Sequence, residues 1–489
     1  ALARLGHVHT AMPTADRFFN ASLANELSDE SAAAVMQLYG VAVKPDLSAR
    51  ANTVQVLGID EKITSLLDNI TEPESGEVVL NQALALQLNA EVGDPVILRF
   101  VAPSALSQDL PIGFEEGDNT ISLRVSVTGI VDNQFSLRSD ADALNAFVSR
   151  QWLCDRLEMT GRANLLLADK PVDDVDEAWR LNDAQLVWRT LDDGRGELRS
   201  ERVFIDEPVV KALADLPGER ILTYFVNTIA HGSQQTPYSM IASTDSDLGE
   251  DEIAINTWLA DDLNAEVGDE LVLTYFVADS GRDLQEAQVT LTVARIVPIE
   301  GPYADRTLVP DFPGLDDVDQ ISDWDGGPMI DRSRIRQKDE DYWDTYRATP
   351  KAFVSIKRGQ ALWANRFGTL TAIRLPPGIT QQDIRDRLDP AMVGLTPRDV
   401  RGPALKASNA TVDFGALFLS LSFFIIVSAV LLTGLLFVFG VEMRSRELGI
   451  LSAVGWPGRR VRWLLLIEGG FVAVAGAAVG LLGGIGYTL

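Results

Sequence analysis

The sequence predicts an α+β protein: a large mixed α/β extracytoplasmic domain with duplicated, mostly β modules, followed by C-terminal transmembrane α-helices. Three observations predict it. The stretch Phe414 to Val441 carries no charge, a second apolar stretch runs from Trp463 to Leu489, and a block that begins at Glu77 recurs from Glu252.

Residues 1–60 read as the first part of a membrane-proximal α/β layer. Asp16 to Leu27 has helical periodicity, and Ala33 to Val43 and Thr53 to Ile59 are strand-like. Residues 61–160 form a β-rich module built around Glu77-Val-Val-Leu-Asn81-Gln-Ala-Leu84-Ala-Leu-Gln-Leu88-Asn89-Ala-Glu-Val-Gly93-Asp94. Residues 236–345 form its second copy, around Glu252-Ile-Ala-Ile-Asn256-Thr-Trp-Leu259-Ala-Asp-Asp-Leu263-Asn264-Ala-Glu-Val-Gly268-Asp269. Each block reads as a short strand, a helical turn with Leu at i and i+4, a Gly-Asp turn that needs positive φ, and a strand (Pro95 to Phe100; Glu270 to Phe276). An alternating strand follows each, Ile121 to Val131 and Gln288 to Val297. Residues 161–235 connect the two modules.

Residues 346–400 supply the second part of the membrane-proximal layer: a strand Leu370 to Leu375, a turn at Pro376-Pro-Gly378, a helix Gln381 to Leu388 and a strand Met392 to Leu395. A layer built from both ends would leave the duplicated modules as an insertion. Residues 401–413 are then a stalk running into the first span.

As a helix, residues 414–441 reach about 42 Å, more than the roughly 30 Å hydrocarbon core of a bilayer. Residues 463–489 hold one acid, Glu468, near their start, and the rest is long enough for a second span. Residues 442–462 between them form a short loop with Arg444, Arg446, Arg459, Arg460 and Arg462, and short Arg-rich loops stay on the cytoplasmic side. Residues 1–411 then lie on the opposite face. Within the loop, Leu448 and Leu451, with Val454 one turn on, make an aliphatic stripe on a helix too short to span, which asks for a protein groove; a solvated turn is the plainer alternative.

The formal net charge is −28. The five loop arginines outnumber the acids of residues 412–489 (Asp413, Glu442, Glu447 and Glu468), so the acidic excess lies wholly in residues 1–411. Such a surface argues against nucleic acid, which needs clustered cations. One cysteine, Cys154, cannot form an intramolecular disulfide. No Gly-rich run ends in Gly-Lys-Ser/Thr, so ATP is not bound here through a Walker motif, and no Gly-x-Ser-x-Gly elbow is present. With three histidines, a structural zinc site and any other metal site are unsupported, and enzymatic chemistry is not expected. The acid-rich stretch Asp316 to Asp341 lacks EF-hand spacing and reads as a solvated loop. The aromatic residues Trp324, Tyr342, Trp343, Tyr346 and Trp363 read as core before contact surface.

The loop carries a further pattern: Arg444, Arg446, Glu447, Leu448, Gly449, Ile450, Leu451, Ala453, Gly455, the basic cluster Arg459-Arg460-Val-Arg462, and Glu468-Gly469. It resembles the cytoplasmic signature of FtsX/MacB-like ABC transporter permeases, and the two tandem modules, with blocks such as Leu222 to Asn227, Pro237 to Met240 and Asp341 to Phe353, look like a large-ectodomain subgroup of them. Leu-Ala-x-x-Leu followed by Val-Gly-Asp in both repeats resembles that family's extracytoplasmic domain. The resemblance implies a transport or mechanotransmission subunit without its own ATPase site. Arg444, Arg446, Glu447, Leu448, Gly449, Leu451 and Gly455 would couple it to an ATP-binding subunit that holds ATP and Mg. It also implies a second permease or permease half, a multi-pass position in the bacterial inner membrane, and a periplasmic partner or cargo (lipid, lipoprotein, peptide or drug). The rival expectation is an ATP-driven regulator or receptor that transports nothing. Residue 1 follows no anchor and residue 489 stops at the edge of a span, so a longer chain with a preceding helix and at least one further span is expected.

Overall fold

The duplicated block folds the same way twice, down to its caps. The Asn81 side-chain oxygen accepts the Leu84 N–H at 3.1 Å and opens the helix Gln82–Leu88; Asn256 accepts the Leu259 N–H at 2.8 Å and opens Thr257–Leu263. A short amide at this position satisfies one of the N–H groups that a helix start leaves unpaired. Both helices end on a left-handed asparagine, Asn89 and Asn264, each at φ 48°. Gly93 and Gly268 follow at φ 101° and 99°, the positive values the turn demands.

The computed structural model describes residues 4–488 apart from 15–16, 28–30, 104–119, 133–134, 138–142, 278–284, 313–314, 316–317, 325–329 and 410–413. Two units result, Ala1–Lys406 and Ala407–Leu489. In the first unit the strands begin with β1 (Thr10–Pro13), β2 (Phe19–Asn20), β3 (Ala32–Val43), β4 (Arg50–Ile59) and β5 (Glu77–Asn81). Next come β6 (Pro95–Val101), β7 (Thr120–Val131), β8 (Leu144–Ser149), β9 (Arg162–Ala163) and β10 (Leu165–Ala168). The second half holds β11 (Leu186–Thr190), β12 (Gly196–Ser200), β13 (Glu219–His231), β14 (Gln234–Thr244) and β15 (Glu252–Asn256). It closes with β16 (Glu270–Phe276), β17 (Glu286–Val297), β18 (Ala352–Ser355), β19 (Ala372–Leu375) and β20 (Arg398–Asp399).

One nine-stranded sheet has the order β20-β1-β10-β3-β4-β8-β5-β7-β6, the other β11-β12-β19-β13-β14-β18-β15-β17-β16. Position by position the orders match, and so does the sense of every pair: β4–β8 and β14–β18 are parallel, as are β5–β7 and β15–β17, and the rest are antiparallel. Extra pairings β3–β6 and β13–β16 close each sheet into a six-stranded barrel with a three-stranded wing. Closure removes the free edges that a short strand pair would otherwise expose. In β3 the bend onto β6 falls at an irregularity between Gly40 and Ala42. A Cβ at Gly40 would lie 2.2 Å from the Arg99 carbonyl oxygen, so only glycine lets the two backbones approach.

The duplication is therefore wider than modules at 61–160 and 236–345. Residues 32–59 form barrel walls of the first copy, residues 352–375 complete the second, and β10 to β13 within residues 161–235 are sheet members rather than a connector. The reason is closure, because short strands such as β5 and β6 need the long β3 and β4 to complete a cylinder. The two ends of the unit still meet, since β20 pairs with β1. The two wings share one core, in which Met12, Leu166, Trp179, Leu198 and Ile373 are all buried, and Arg17 grips Asp206 with two 2.7 Å hydrogen bonds between the copies. Parting the two copies would expose this apolar surface.

Several local expectations shift. Among the described residues of 16–27, the chain forms the helix Leu23–Leu27, with β2 before it. Pro390–Val393 is a 3₁₀ turn instead of a strand, because the Asp389 carboxylate caps the Ala391 N–H at 2.8 Å ahead of a proline that suits a first helical position. Cys154 is buried, and burial pushes its thiol up to about 11. Trp324, Tyr342, Trp343 and Trp363 are core residues. Asp316, Asp317 and Asp325 of the acid-rich stretch, and residues 410–413 of the expected stalk, lie outside the described residues.

The second unit holds two long helices, Phe414–Met443 and Gly458–Thr488, joined by a short one, Ser445–Ala453. The candidate membrane-crossing segments within them run Phe418–Met443 and Gly458–Gly486. Both are long enough to cross a bilayer. The long helices approach at Gly469, where a Cβ would lie 2.6 Å from the Phe437 ring. Gly458–Thr488 starts before the expected Trp463, because Arg459, Arg460 and Arg462 occupy its first turns.

Candidate coupling site

The segment between the spans is folded by its own caps. The Arg444 N–H bonds to the Val441 carbonyl at 3.2 Å, and the Arg444 carbonyl accepts the Leu448 N–H at 3.1 Å, which starts the short helix. At the other end the Trp456 N–H reaches the Leu451 carbonyl at 3.0 Å and the Gly455 N–H reaches the Ser452 carbonyl at 3.1 Å. With Gly455 at φ 93° this is a Schellman ending, which a residue bearing a Cβ adopts only under strain. Pro457 then precedes the next helix.

The predicted residues fall into four groups. Arg444 bonds to Glu468 Oε1 at 2.6 Å, tying the loop to the second long helix; both side chains are about half exposed. Arg446, Glu447 and Gly449 face solvent. Leu448 and Leu451 are half-buried, and the short helix touches both long ones. Gly455 shapes the turn.

Sequence reasoning missed the exposed apolar face. Ile450 (64% exposed) and Val454 (75%) stand outward one turn apart, and Trp456 follows at 42%. Val454, expected on the stripe with Leu448 and Leu451, is exposed where those two are half-buried. Glu468 was also missed as a site residue. Its position near the start of an apolar run, with an arginine at the end of the preceding one, was the available signal.

Two long apolar helices joined by a short one are the architecture of a membrane protein. Residues 419–489 match the family model described as FtsX-like permease C-terminal. Solved structures similar to the chain include the periplasmic region of MacB from Actinobacillus actinomycetemcomitans, at 16% identity and TM-score 0.24. That match covers 35% of this chain and 80% of that one. Another is the extracellular domain of the noncanonic ABC-type transporter YknZ from Gram-positive bacteria, at 13% identity and TM-score 0.23, covering 35% and 88%. No curated protein matches the chain.

Proposed function

We propose that this chain is the permease subunit of an ABC-type complex in a bacterial inner membrane, with residues 1–411 outside the cytoplasm. It couples ATP hydrolysis by a partner to movement of its large strand-rich domain. The observation that carries this reading is the short helix Ser445–Ala453, with Ile450 and Val454 exposed between two spans and arginines at both ends. Exposed apolar side chains on a helix too short to span are covered when the helix lies in a groove of a partner. ATP and Mg belong to that partner. The Arg444–Glu468 pair lets a displacement of the short helix act directly on the second long helix.

Affinity capture of the full-length protein from membranes, compared with Ile450→Asp/Val454→Asp, tests the reading. An ATP-binding subunit retained by the parent and lost by the variant supports it. Retention of no ATPase by an inserted, folded parent refutes it and favours an anchored receptor.

A further inference from the structure

The two copies use one face of their sheets differently. In the first, residues 60–76 between β4 and β5 lay Ile63, Leu66 and Leu67 over it, and these pack with Ala33, Ile59, Val79, Phe147 and Leu167 into a buried apolar core. In the second, the shorter segment 245–251 joins β14 to β15, and the same face holds a cavity of about 390 Å³. That volume falls within the roughly 300–1,000 Å³ of small-ligand pockets.

The registers give the replacements one by one. Phe353 faces Ala254 as Phe147 faces Val79, and Thr244 faces Ser355 as Ile59 faces Ser149. Arg374 faces Glu219 as Leu167 faces Ala33, and Arg295 faces Ala254 as Gly129 faces Val79. Phe353 is kept as a buried wall and Val79 shrinks to Ala254, while Ile59, Ala33, Leu167 and Gly129 give way to Thr244, Glu219, Arg374 and Arg295. Packing alone is served by the apolar arrangement of the first copy. The second gives that up and sets charged groups around a space, at a cost in desolvation.

Each lining arginine already holds a carboxylate: Arg195 on Glu219 at 3.0 Å, Arg295 on Asp247, and Arg374 on Asp305 at 2.8 Å. An anion would have to displace one of these acids. Asp245 is exposed to water and accepts the Arg220 N–H at 3.2 Å, and no group of acids among the described residues is placed to hold a metal ion. What the pairs leave over is hydrogen-bonding capacity. Among the described residues, Arg195 Nη2, Arg295 Nη1, Glu219 Oε1 and the hydroxyls of Thr244 and Tyr303 make no hydrogen bond. Fixed donors beside fixed acceptors suit hydroxyl groups, which donate and accept at once. The Tyr303 ring, edge-on to Phe353 at 5.1 Å, adds an apolar side together with Pro302 and Leu248.

We propose that this cavity binds one ring of a neutral sugar, whose hydroxyls bridge the arginine and carboxylate edges and whose C–H face packs on the Tyr303 side.

The test is saturation-transfer NMR and calorimetric titration of the full chain in lipid nanodiscs. The probes are the methyl glycosides of glucose, galactose and mannose, and the uronic acid and 2-amino sugar that correspond to each. Saturable binding of at least one neutral glycoside is expected, with its acid and amine counterparts at least tenfold weaker. Thr244→Ile/Ala254→Val, which restores the residues of the first copy and fills the cavity, is expected to weaken that binding at least tenfold. Arg295→Gln, at a partly exposed position, is expected to do the same. The comparison of charged with neutral rings uses the parent protein and so holds whatever the variants' stability. Failure of all three neutral glycosides to bind, equal binding of a charged counterpart, or full binding by either variant in its folded form would overturn the assignment.

Discussion

Glu197 and Arg374 meet at 2.6 Å across the β12–β19 register, at the position where Ala11 and Leu167 face each other in the first copy. Glu197 is fully buried and also holds Arg199 and Arg189. Burial alone would raise its carboxyl, but the arginines, Arg199 foremost, hold it below the ordinary glutamate value. Arg374 and Arg199 reach onward to Asp305, Thr307 and the Val309 carbonyl, so the network clamps the segment 298–351 onto the sheet.

Glu197→Ala strands these buried arginines and is expected to cost about 3–5 kcal/mol. Glu197→Ala/Arg374→Leu copies the apolar pair of the first repeat and is expected to recover at least half of that loss. Thermal unfolding of both variants measures the difference; equal melting temperatures would show that the pair is not what destabilises the single variant.

Asn81→Ala and Asn256→Ala each remove a helix cap from a buried site, at roughly 1–3 kcal/mol. Asn81→Asp keeps the acceptor for Leu84 but loses the donor to the Ala143 carbonyl, bonded at 2.7 Å. It is expected to fall between the parent and the alanine variant, as denaturant melts would show.

Lys351 gives stability a pH dependence with a definite sign. Burial, offset in part by Asp339, brings its amine down to about 8. The unfolded chain binds this proton below about pH 10.4, the folded chain only below about 8, so stability rises with pH across that window, by up to about 3 kcal/mol. Lys351→Met is expected to flatten this rise when melting temperatures are compared at pH 7.5 and 9.5. A parallel slope in parent and variant would assign the rise to other groups.

On the short helix between the spans, Ile450→Asp and Leu451→Asp should differ. Ile450 faces outward, so its substitution is expected to leave insertion and helix content intact while lowering substrate-linked ATPase activity of the assembled complex at least fivefold. Leu451 is half-buried, and its substitution is expected also to lower the melting temperature. Circular dichroism together with ATPase assays in nanodiscs separates the two effects.

The spans, the loop and the twin Asn-to-Gly-Asp blocks were legible because each rests on local chemistry: runs without charge, a cap, a glycine turn. The extent of the duplication was hidden because β3 and β13, or β10 and β19, share a place in the sheet without sharing residues; Leu167 against Arg374 is an example. A register is set by distant partners, and a sequence window does not contain them. The facing of Val454 escaped for a related reason. A stripe at helical spacing says which residues share a side, and the neighbouring helices decide which side is covered.

The pairing of β20 with β1 has a mechanical consequence. Thr10 lies opposite Asp399 and Ala11 opposite Arg398, and the Val400 N–H bonds to the His9 carbonyl at 3.0 Å. The chain before β1 and the chain after β20 thus emerge side by side from the same end of an antiparallel ribbon. A tug on both strands together loads the ribbon in shear, with every bond to β10 and β3 sharing the force. A tug that parts them opens the ribbon like a zipper, one bond at a time and at far lower force.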